Sequence, residues 1–160
     1  MLFRSGVRPL VSLTLTGVHE GDEGSYTCTI AGPDGSFTSN PATLSVNNAP
    51  VVGTQPAGQN VPVGGTFPLS AALSAGTPEF DYMWVKEGAL PGEEIILRVQ
   101  TTAVMTDGIT LPLSGSAALS DSGRYRLKVR NSASRALNTS GNPDNDWVVS
   151  DWAQITVYEP

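Results

Sequence analysis

The chain has 160 residues, of which 39% are apolar, and it carries a formal net charge of −6 at pH 7. This length predicts about one domain with a sizeable core. The acidic balance excludes nucleic acid as the main partner, because binding phosphates requires an excess of Lys and Arg, and no apolar run is long enough for membrane insertion.

Alternating apolar and polar residues, the pattern of half-buried strands, recur along the chain. The alternation is present at four places in chain order: residues 27–30, 43–46, 125–130 and 153–158. No window shows the spacing of an amphipathic helix with signals at both ends. The chain is therefore predicted to be all-β.

The clearest of these strands has one apolar and one basic face. Tyr125, Leu127 and Val129 point to one side, because side chains alternate along a strand. The opposite side carries four cations: Arg124, Arg126, Lys128 and Arg130. The plainest interpretation is a solvated face whose cations pair across strands with Glu87, Glu93 and Glu94.

Two blocks of sequence recur at an offset of 99 positions. Leu13–Val18 and Asp22–Cys28 correspond to Leu111–Ala117 and Asp121–Leu127, with one extra residue within the first block of the second copy, so that the offset is 98 at Leu13 and 99 from Val18 onward. A period of this length indicates tandem small β domains. The segment Asn47–Pro50 has the composition of a turn followed by an extended stretch, and we place the domain boundary after residue 48.

The pattern Asp-x-Gly-x-Tyr-x-Cys, preceded by Leu-x-Leu-x-x-Val, resembles the E–F corner of immunoglobulin-like domains of the I-set type. In that fold the tyrosine ring is buried and its hydroxyl binds an upstream backbone group. The second copy matches along nearly its whole length, with Gly76–Pro78 as the B–C loop and Trp84 as the buried tryptophan of strand C. The resemblance implies an immunoglobulin-like Greek-key β-sandwich for residues 49–160.

The resemblance also implies a core without a disulfide. The cysteines that join strands B and F in such domains are replaced at the aligned positions by Ala71 and Leu127. A bridge of this kind typically contributes about 2–4 kcal/mol, so packing alone must hold the core. The expected members of the core and its corner are Trp84, Tyr125, Asp121, Leu127 and Ala71, with Tyr26 and Cys28 in the first copy.

Residues 1–48 align only with strands E, F and G of the same domain type. Their apolar face, which includes Tyr26 and Cys28, then has no opposing sheet, and two or three strands without a covering layer are marginally stable in water. We expect this partial domain to pack poorly alone, to dock on the second domain, or to self-associate with another chain.

The second copy carries about 11 more residues than the first between strands F and G, within residues 137–150. Long loops of this kind often carry function. Oxygen-bearing side chains at alternate positions suit a weak calcium site, against the plainer interpretation of a solvated polar loop. The candidate ligands are Asn142, Asp144, Asp146 and Asp151.

Two tryptophans in and after this loop open a second possibility. Trp147 lies within it, and strand alternation places Trp152 and Tyr158 on the outward side of the last strand. Exposed aromatic rings beside acids and amides can stack on a sugar. The alternative is that Trp147 folds back over the end of the sandwich.

The sequence argues against catalysis. The chain has one histidine and one cysteine, His19 and Cys28, and Glu93 and Glu94 point to opposite faces of a strand.

The resemblance favours an extracellular or cell-surface module of a longer multi-domain chain, which acts as a spacer and as a protein-interaction or adhesion surface. On this interpretation the basic face of residues 124–130 is a protein-docking surface. The alternative function is a glycan-binding accessory module that uses residues 137–152, with or without calcium.

Overall fold

A computed structural model describes residues 11–103, 109–111 and 116–160, and for residues 101–103 and 109–111 it describes the backbone only. The chain divides into two compact units, Met1–Val46 and Asn47–Pro160. The boundary predicted from the sequence lies two residues further along. That the first unit is the C-terminal half of an immunoglobulin-like domain stays a prediction.

Unit 1 contains two separate pairs of short antiparallel strands. Strand β1 pairs with β4, and β2 forms a hairpin with β3 around Pro33–Asp34. The bounds are β1 Gly24–Tyr26, β2 Thr29–Gly32, β3 Gly35–Thr38 and β4 Ala42–Leu44, with a 3-10 helix at Glu20–Asp22.

Two sequence predictions for unit 1 differ from the structure. Residues 13–18, predicted as strand E, form no strand, because no described strand of the unit pairs with them. Cys28, predicted as part of a core, is exposed. Tyr26 is only partly buried. The reason is that two-stranded sheets without a second layer cannot exclude water from either face.

Unit 2 consists of two antiparallel-dominated sheets. The smaller has the order β5–β7–β10, and the larger has the order β6–β13–β11–β8–β9, with the short β12 also paired to β11. The bounds are β5 Val51–Thr54, β6 Gln59–Pro62, β7 Leu69–Ala75, β8 Phe80–Glu87, β9 Glu94–Ala103, β10 Ile109–Leu111, β11 Gly123–Arg130, β12 Val148–Val149 and β13 Ala153–Tyr158. Strands β6 and β13 run parallel. The chain therefore leaves the smaller sheet after β5 and enters the larger sheet at β6.

The two sheets enclose one hydrophobic core. Leu69 on β7, Trp84 on β8 and Leu127 on β11 are fully buried, and the same cluster contains Ile155 on β13. Ala71, aligned with the position of a missing cysteine, is also buried. The side chains that alternate inward on β11 and β13 are therefore the apolar ones, which is the arrangement that the sequence pattern predicts.

The same corner is built twice, once in each unit. The Tyr125 hydroxyl donates to the Asp121 carbonyl at 2.5 Å, and the Tyr26 hydroxyl donates to the Asp22 carbonyl at 2.6 Å. The Asp121 carboxylate accepts from the Ala118 N–H at 2.9 Å and so holds the turn before the tyrosine. Glycine stands two residues before each tyrosine with a positive φ of 156° in unit 1 and 151° in unit 2, which favours glycine.

Burial, together with the negative charge of Asp121, raises the pKa of Tyr125 to about 12. Because the folded state holds this proton more tightly than the unfolded chain, the stabilisation is complete below about pH 10 and is lost as the pH rises towards 12. We expect the unfolding free energy, measured in urea at successive pH values, to fall more steeply above pH 10 in the wild type than in Tyr125→Phe. Tyr158→Phe, at an exposed position, should follow the wild type. Equal slopes for wild type and Tyr125→Phe would contradict the buried phenol.

One helix interrupts the otherwise β structure. It is α1, Ser132–Leu137, which begins directly after β11. The Asn131 side chain accepts from the Ser134 N–H while the Ser134 hydroxyl is bonded to the Asn131 backbone, a reciprocal cap. Two further 3-10 helices are Leu119–Asp121 and Pro143–Asp146. The all-β prediction is confirmed, with the six-residue α1 as an exception that no sequence pattern indicated. Within the described ranges, no helix has the length and apolar character needed to cross a membrane.

Candidate functional site

The outer face of the larger sheet carries a row of paired charges. Arg124, Arg126, Lys128 and Arg130 alternate with the core residues of β11 and therefore point away from the core. We call this row, with its acidic partners and the two tryptophans described below, the Arg–Trp ladder.

Each cation of the ladder has a carboxylate partner on a neighbouring element. Lys128 Nζ lies 2.8 Å from Glu94 Oε2, and Arg126 Nε donates to the other Glu94 oxygen at 2.8 Å. Arg124 forms a two-pronged pair with Glu87, and Arg130 Nε donates to Asp81 at 3.3 Å. Arg130 also lies 3.6 Å from Asp146, and Arg135 pairs with Asp81. Glu93, predicted as a further partner, instead accepts from the Leu90 N–H in the β8–β9 turn.

The neighbouring cations lower the pKa values of two carboxylates of the ladder. Partial burial raises the pKa of Glu94, but the hydrogen bonds from Lys128 and Arg126 outweigh it, so the pKa lies below its ordinary value. The hydrogen bond from Arg124 lowers the pKa of Glu87 against a smaller effect of desolvation. Both carboxylates are therefore ionised at neutral pH and the ladder is close to charge-balanced.

Both tryptophans of the ladder lie under guanidinium groups. The Arg126 guanidinium carbon is 4.4 Å from the centroid of the Trp152 ring and that of Arg124 is 5.3 Å away. Arg130 lies 4.2 Å from the centroid of Trp147. Both rings are partly buried. The structure thus uses them as stacking partners of arginine, an arrangement that no sequence pattern indicated.

An apolar strip lies beside the ladder on the edge strand β9. Four of its side chains are exposed to between 38% and 58%: Ile95, Ile96, Leu97 and Val99. Ile96 and Val99 pair across the strands with Val85 and Met83 and so lie on the face of the ladder, whereas Ile95 pairs with Lys86 and points to the other face. Among the described strands β9 pairs only with β8, so it forms one edge of the larger sheet. Under the ladder itself Val85, the cross-strand partner of Arg126, is fully buried although it is outside the core cluster. The aliphatic stems of the charged side chains cover it.

A cavity of about 340 Å³ lies at the end of the sandwich, between α1 and the segment that leads to β12. Its walls combine an aromatic ring, amides, hydroxyls and apolar side chains. They are Ala49, Ser134, Leu137, Asn138, Thr139, Ser140, Asn145, Asp146, Trp147 and Val148. Trp147 therefore meets both the ladder and this cavity, whereas Trp152 meets the ladder only.

The candidate calcium ligands are not gathered into one site. Asn142 caps the 3-10 helix by accepting from the Asp144 N–H, and Asp146 faces Arg130 and Asn138. The Asp151 N–H is bonded to Gln55 on another element. In the part of the chain that the structure describes, no three His, Cys, Asp or Glu side chains lie close enough together to hold a metal ion. Calcium binding stays a prediction.

Two residues that matter here, Asp81 and Asn131, were not singled out from the sequence, whereas strand alternation had placed Val85 on the outer face with the cations. Asp81 joins Arg130 and Arg135, and Val85 is buried beneath the ladder. Asn131 is buried and joins three segments of unit 2. Alternation along β8 places Asp81 on the same outer face as Val85, and this signal could have identified Asp81 from the sequence. Asn131 left no comparable signal, because its partners are distant in sequence.

Comparisons with known proteins identify the fold. A scan against models of protein families finds no match. Over 76 residues, the chain is 40% identical to the protein sax-3 of Caenorhabditis elegans, a stretch that covers 48% of this chain and 6% of that protein.

Solved structures match most of the chain. The N-terminal eight Ig domains of Down Syndrome Cell Adhesion Molecule match with a TM-score of 0.58 and 17% identity, over 88% of this chain and 16% of that one. The structure of DIP-gamma IG1+IG2 matches with a TM-score of 0.53 and 15% identity, over 91% of this chain and 65% of that one. The matched stretches thus span less than two thirds of these proteins. The chain therefore has the immunoglobulin-like fold, as the resemblance drawn from its sequence predicts.

Proposed function

We propose that the chain is a non-catalytic, extracellular or cell-surface module of a longer multi-domain protein, in which it serves as spacer and as protein-interaction or adhesion surface. The proposed contact surface is the apolar strip of β9 together with the adjoining Arg–Trp ladder. The observation that carries the proposal is the exposure of Ile96 and Val99 on the outer face of β9, beside the ladder. Exposed apolar residues in a contiguous group are typical of protein contact sites.

The ladder suits the central part of such a surface. Tryptophan and arginine are the residues most enriched at energetic centres of protein interfaces. In this protein Arg126 is held between Glu94 and the Trp152 ring, so little side-chain freedom remains to be lost on binding. Because each cation is paired with a carboxylate, this surface carries no large excess of either charge, although the chain as a whole is acidic.

The similar proteins support this class of function. The name of Down Syndrome Cell Adhesion Molecule states an adhesion role, and the chain matches a small part of that longer multi-domain protein. Tyr158, exposed on β13, remains a candidate at the margin of the same sheet.

We expect Val99→Asp to abolish adhesion, because a charge in the apolar strip must be desolvated without a partner when the contact forms. The measurement is the adhesion of beads coated with the full chain to cells of the source organism. Val51→Asp is the matched control, since Val51 is a similarly exposed valine on the smaller sheet. Adhesion that is unchanged in Val99→Asp, or lost equally in both variants, would contradict the proposed surface.

A second candidate function is glycan binding through residues 137–152. The cavity beside Trp147 favours it, because its walls combine an aromatic ring with amides and hydroxyls. This function is compatible with the first, since the cavity and the apolar strip involve different side chains.

Self-association through unit 1 stays a prediction. The exposed apolar side chains Val11, Leu13, Ile30 and Phe37 support it, because such groups are more stable when covered. Three of them, Val11, Ile30 and Phe37, line a shallow cavity of about 370 Å³ together with Cys28.

A further inference from the structure

The cavity at the end of the sandwich has the size and the walls of a small-ligand site. Its volume of about 340 Å³ falls within the range of roughly 300–1,000 Å³ that such sites occupy. We call it the Trp147 cavity. Side chains from α1 and from the segment before β12 surround it, and apart from Ala49 and Ser134 its lining residues lie within residues 137–150, where unit 2 is longer than the first copy.

The charges at the cavity are already neutralised. Asp146 lies 3.6 Å from Arg130 and accepts from the Asn138 amide at 2.6 Å. Arg130 in turn donates to Asp81. A charged ligand would find no unpaired counter-ion among these groups, so the cavity favours an uncharged one.

Hydrogen-bonding groups remain available on the wall. Asn145 uses its Nδ2 to donate to the Ser140 hydroxyl at 2.9 Å, while its Oδ1 and the Thr139 hydroxyl have no partner within the described residues. Asn138, by contrast, is committed to holding the loop through the Asn142 carbonyl and Asp146. An amide oxygen and a hydroxyl that line the same cavity match a ligand with several hydroxyl groups.

The aromatic wall is fixed before a ligand arrives. The Arg130 guanidinium stacks on Trp147 at 4.2 Å, which limits rotation of the ring and lowers the entropy lost on binding. The electron-rich face of an indole attracts the weakly positive C–H groups of a saturated ring. A hexopyranose presents such C–H groups on one face and hydroxyls around its rim.

We propose that the Trp147 cavity binds one neutral hexopyranose residue, with Trp147 as the stacking platform and Asn145 and Thr139 as hydrogen-bonding partners of its hydroxyls. This inference rests on the second candidate function and narrows it. Trp152 has no part in the site, because it does not line the cavity and lies under Arg124 and Arg126. Calcium has no part either, because the one carboxylate of the wall is that of Asp146.

The test is two-dimensional NMR of the full chain, titrated with the methyl glycosides of glucose, galactose, mannose and N-acetylglucosamine at millimolar concentrations. We expect one or more to shift the indole N–H signal of Trp147 and the amide signals of Asn145 and Thr139, unchanged by a chelator. The titration is repeated with short oligosaccharides that end in the sugar that binds. A site for the end of a glycan should bind the oligosaccharide at least as tightly as the methyl glycoside, whereas a site for a free sugar should bind it more weakly.

Variants decide whether the cavity is responsible. Trp147→Ala should weaken binding by about tenfold or more, and Asn145→Ala by a few-fold, whereas Trp152→Ala should bind as the wild type does. Trp147→Phe keeps a ring and should bind with intermediate affinity, which separates loss of the platform from loss of the local fold.

Two results would overturn the inference. If no sugar of the panel shifts Trp147, the cavity is not a hexopyranose site. If a sugar binds but shifts Trp152 and is lost in Trp152→Ala, the chain binds glycans elsewhere, and the second candidate function survives without this site. The adhesion assay of Val99→Asp tests the first function independently of both.

Discussion

Replacing Trp84 by alanine is expected to lower the free energy of unfolding of unit 2 by about 3–5 kcal/mol, the range for large aromatic residues removed from a core. Trp84 has no solvent exposure and belongs to the one cluster that joins both sheets. No disulfide holds those sheets together, since Ala71 and Leu127 occupy the aligned positions. Packing around Trp84 therefore carries the stability that a bridge would otherwise add.

The measurement is urea unfolding at neutral pH, followed by far-ultraviolet circular dichroism. Trp152→Ala is the matched control: it also removes an indole, but a partly buried one outside the core, and should cost about 1 kcal/mol. Trp84→Phe should cost less than Trp84→Ala, because it keeps an aromatic ring in the core and leaves a smaller cavity. The lost N–H adds little to the cost, since Trp84 Nε1 has no hydrogen-bond partner among the described residues. Equal losses for Trp84→Ala and Trp152→Ala would contradict the central role of the buried indole.

Asn131→Ala is expected to lower the unfolding free energy by about 2–4 kcal/mol, a large effect for a polar residue. The Asn131 amide donates to the Asn48 carbonyl at 2.7 Å and to the Thr77 carbonyl at 3.0 Å. Its oxygen also accepts from the Ser134 N–H at 3.0 Å and so caps α1. Alanine removes all three bonds at a buried position. The Asn48 carbonyl keeps its bond from the Thr77 N–H, but each donor or acceptor that loses its bond away from water costs free energy.

Asn142→Ala is the control for this prediction. Asn142 likewise accepts from a backbone N–H at the start of a short helix, but it is exposed, and water can replace the bond. We expect a loss of about 0.5–1 kcal/mol there. The comparison is made by urea unfolding of both variants and the wild type. A loss for Asn131→Ala no larger than that for Asn142→Ala would show that the bonds from Asn131 to Asn48, Thr77 and Ser134 contribute little to stability.

The corner and the strands of unit 2 were predictable because their signals are local. Tyr125 and Asp121 lie four residues apart, so the bond between them depends on a short turn and not on distant packing. The alternation on β11 and β13 likewise needs only the two-residue period of a strand. Trp84 was identified from its spacing to the corner, within the resemblance to immunoglobulin-like domains.

The contacts that depend on distant partners were not predictable in the same way. Glu93 and Glu94 are neighbours in sequence, yet only Glu94 joins the ladder, because the β8–β9 turn takes the other. Cys28 has the sequence context of a core residue, and it is exposed because no sheet covers it. Whether a residue is buried depends on what lies opposite, which its own segment does not specify.

The sequence by itself determined the period-two strands, the repeated tyrosine corner and the absence of a B–F cysteine pair in unit 2. These features follow from side-chain alternation and from bonds that span a few residues. Only the tertiary structure decided which carboxylate meets which cation, that Trp152 lies beneath two arginines, and that Trp147 faces a cavity. Those arrangements join side chains from strands far apart in the chain, and their register and the shape of the enclosed space arise only when the sheets pack.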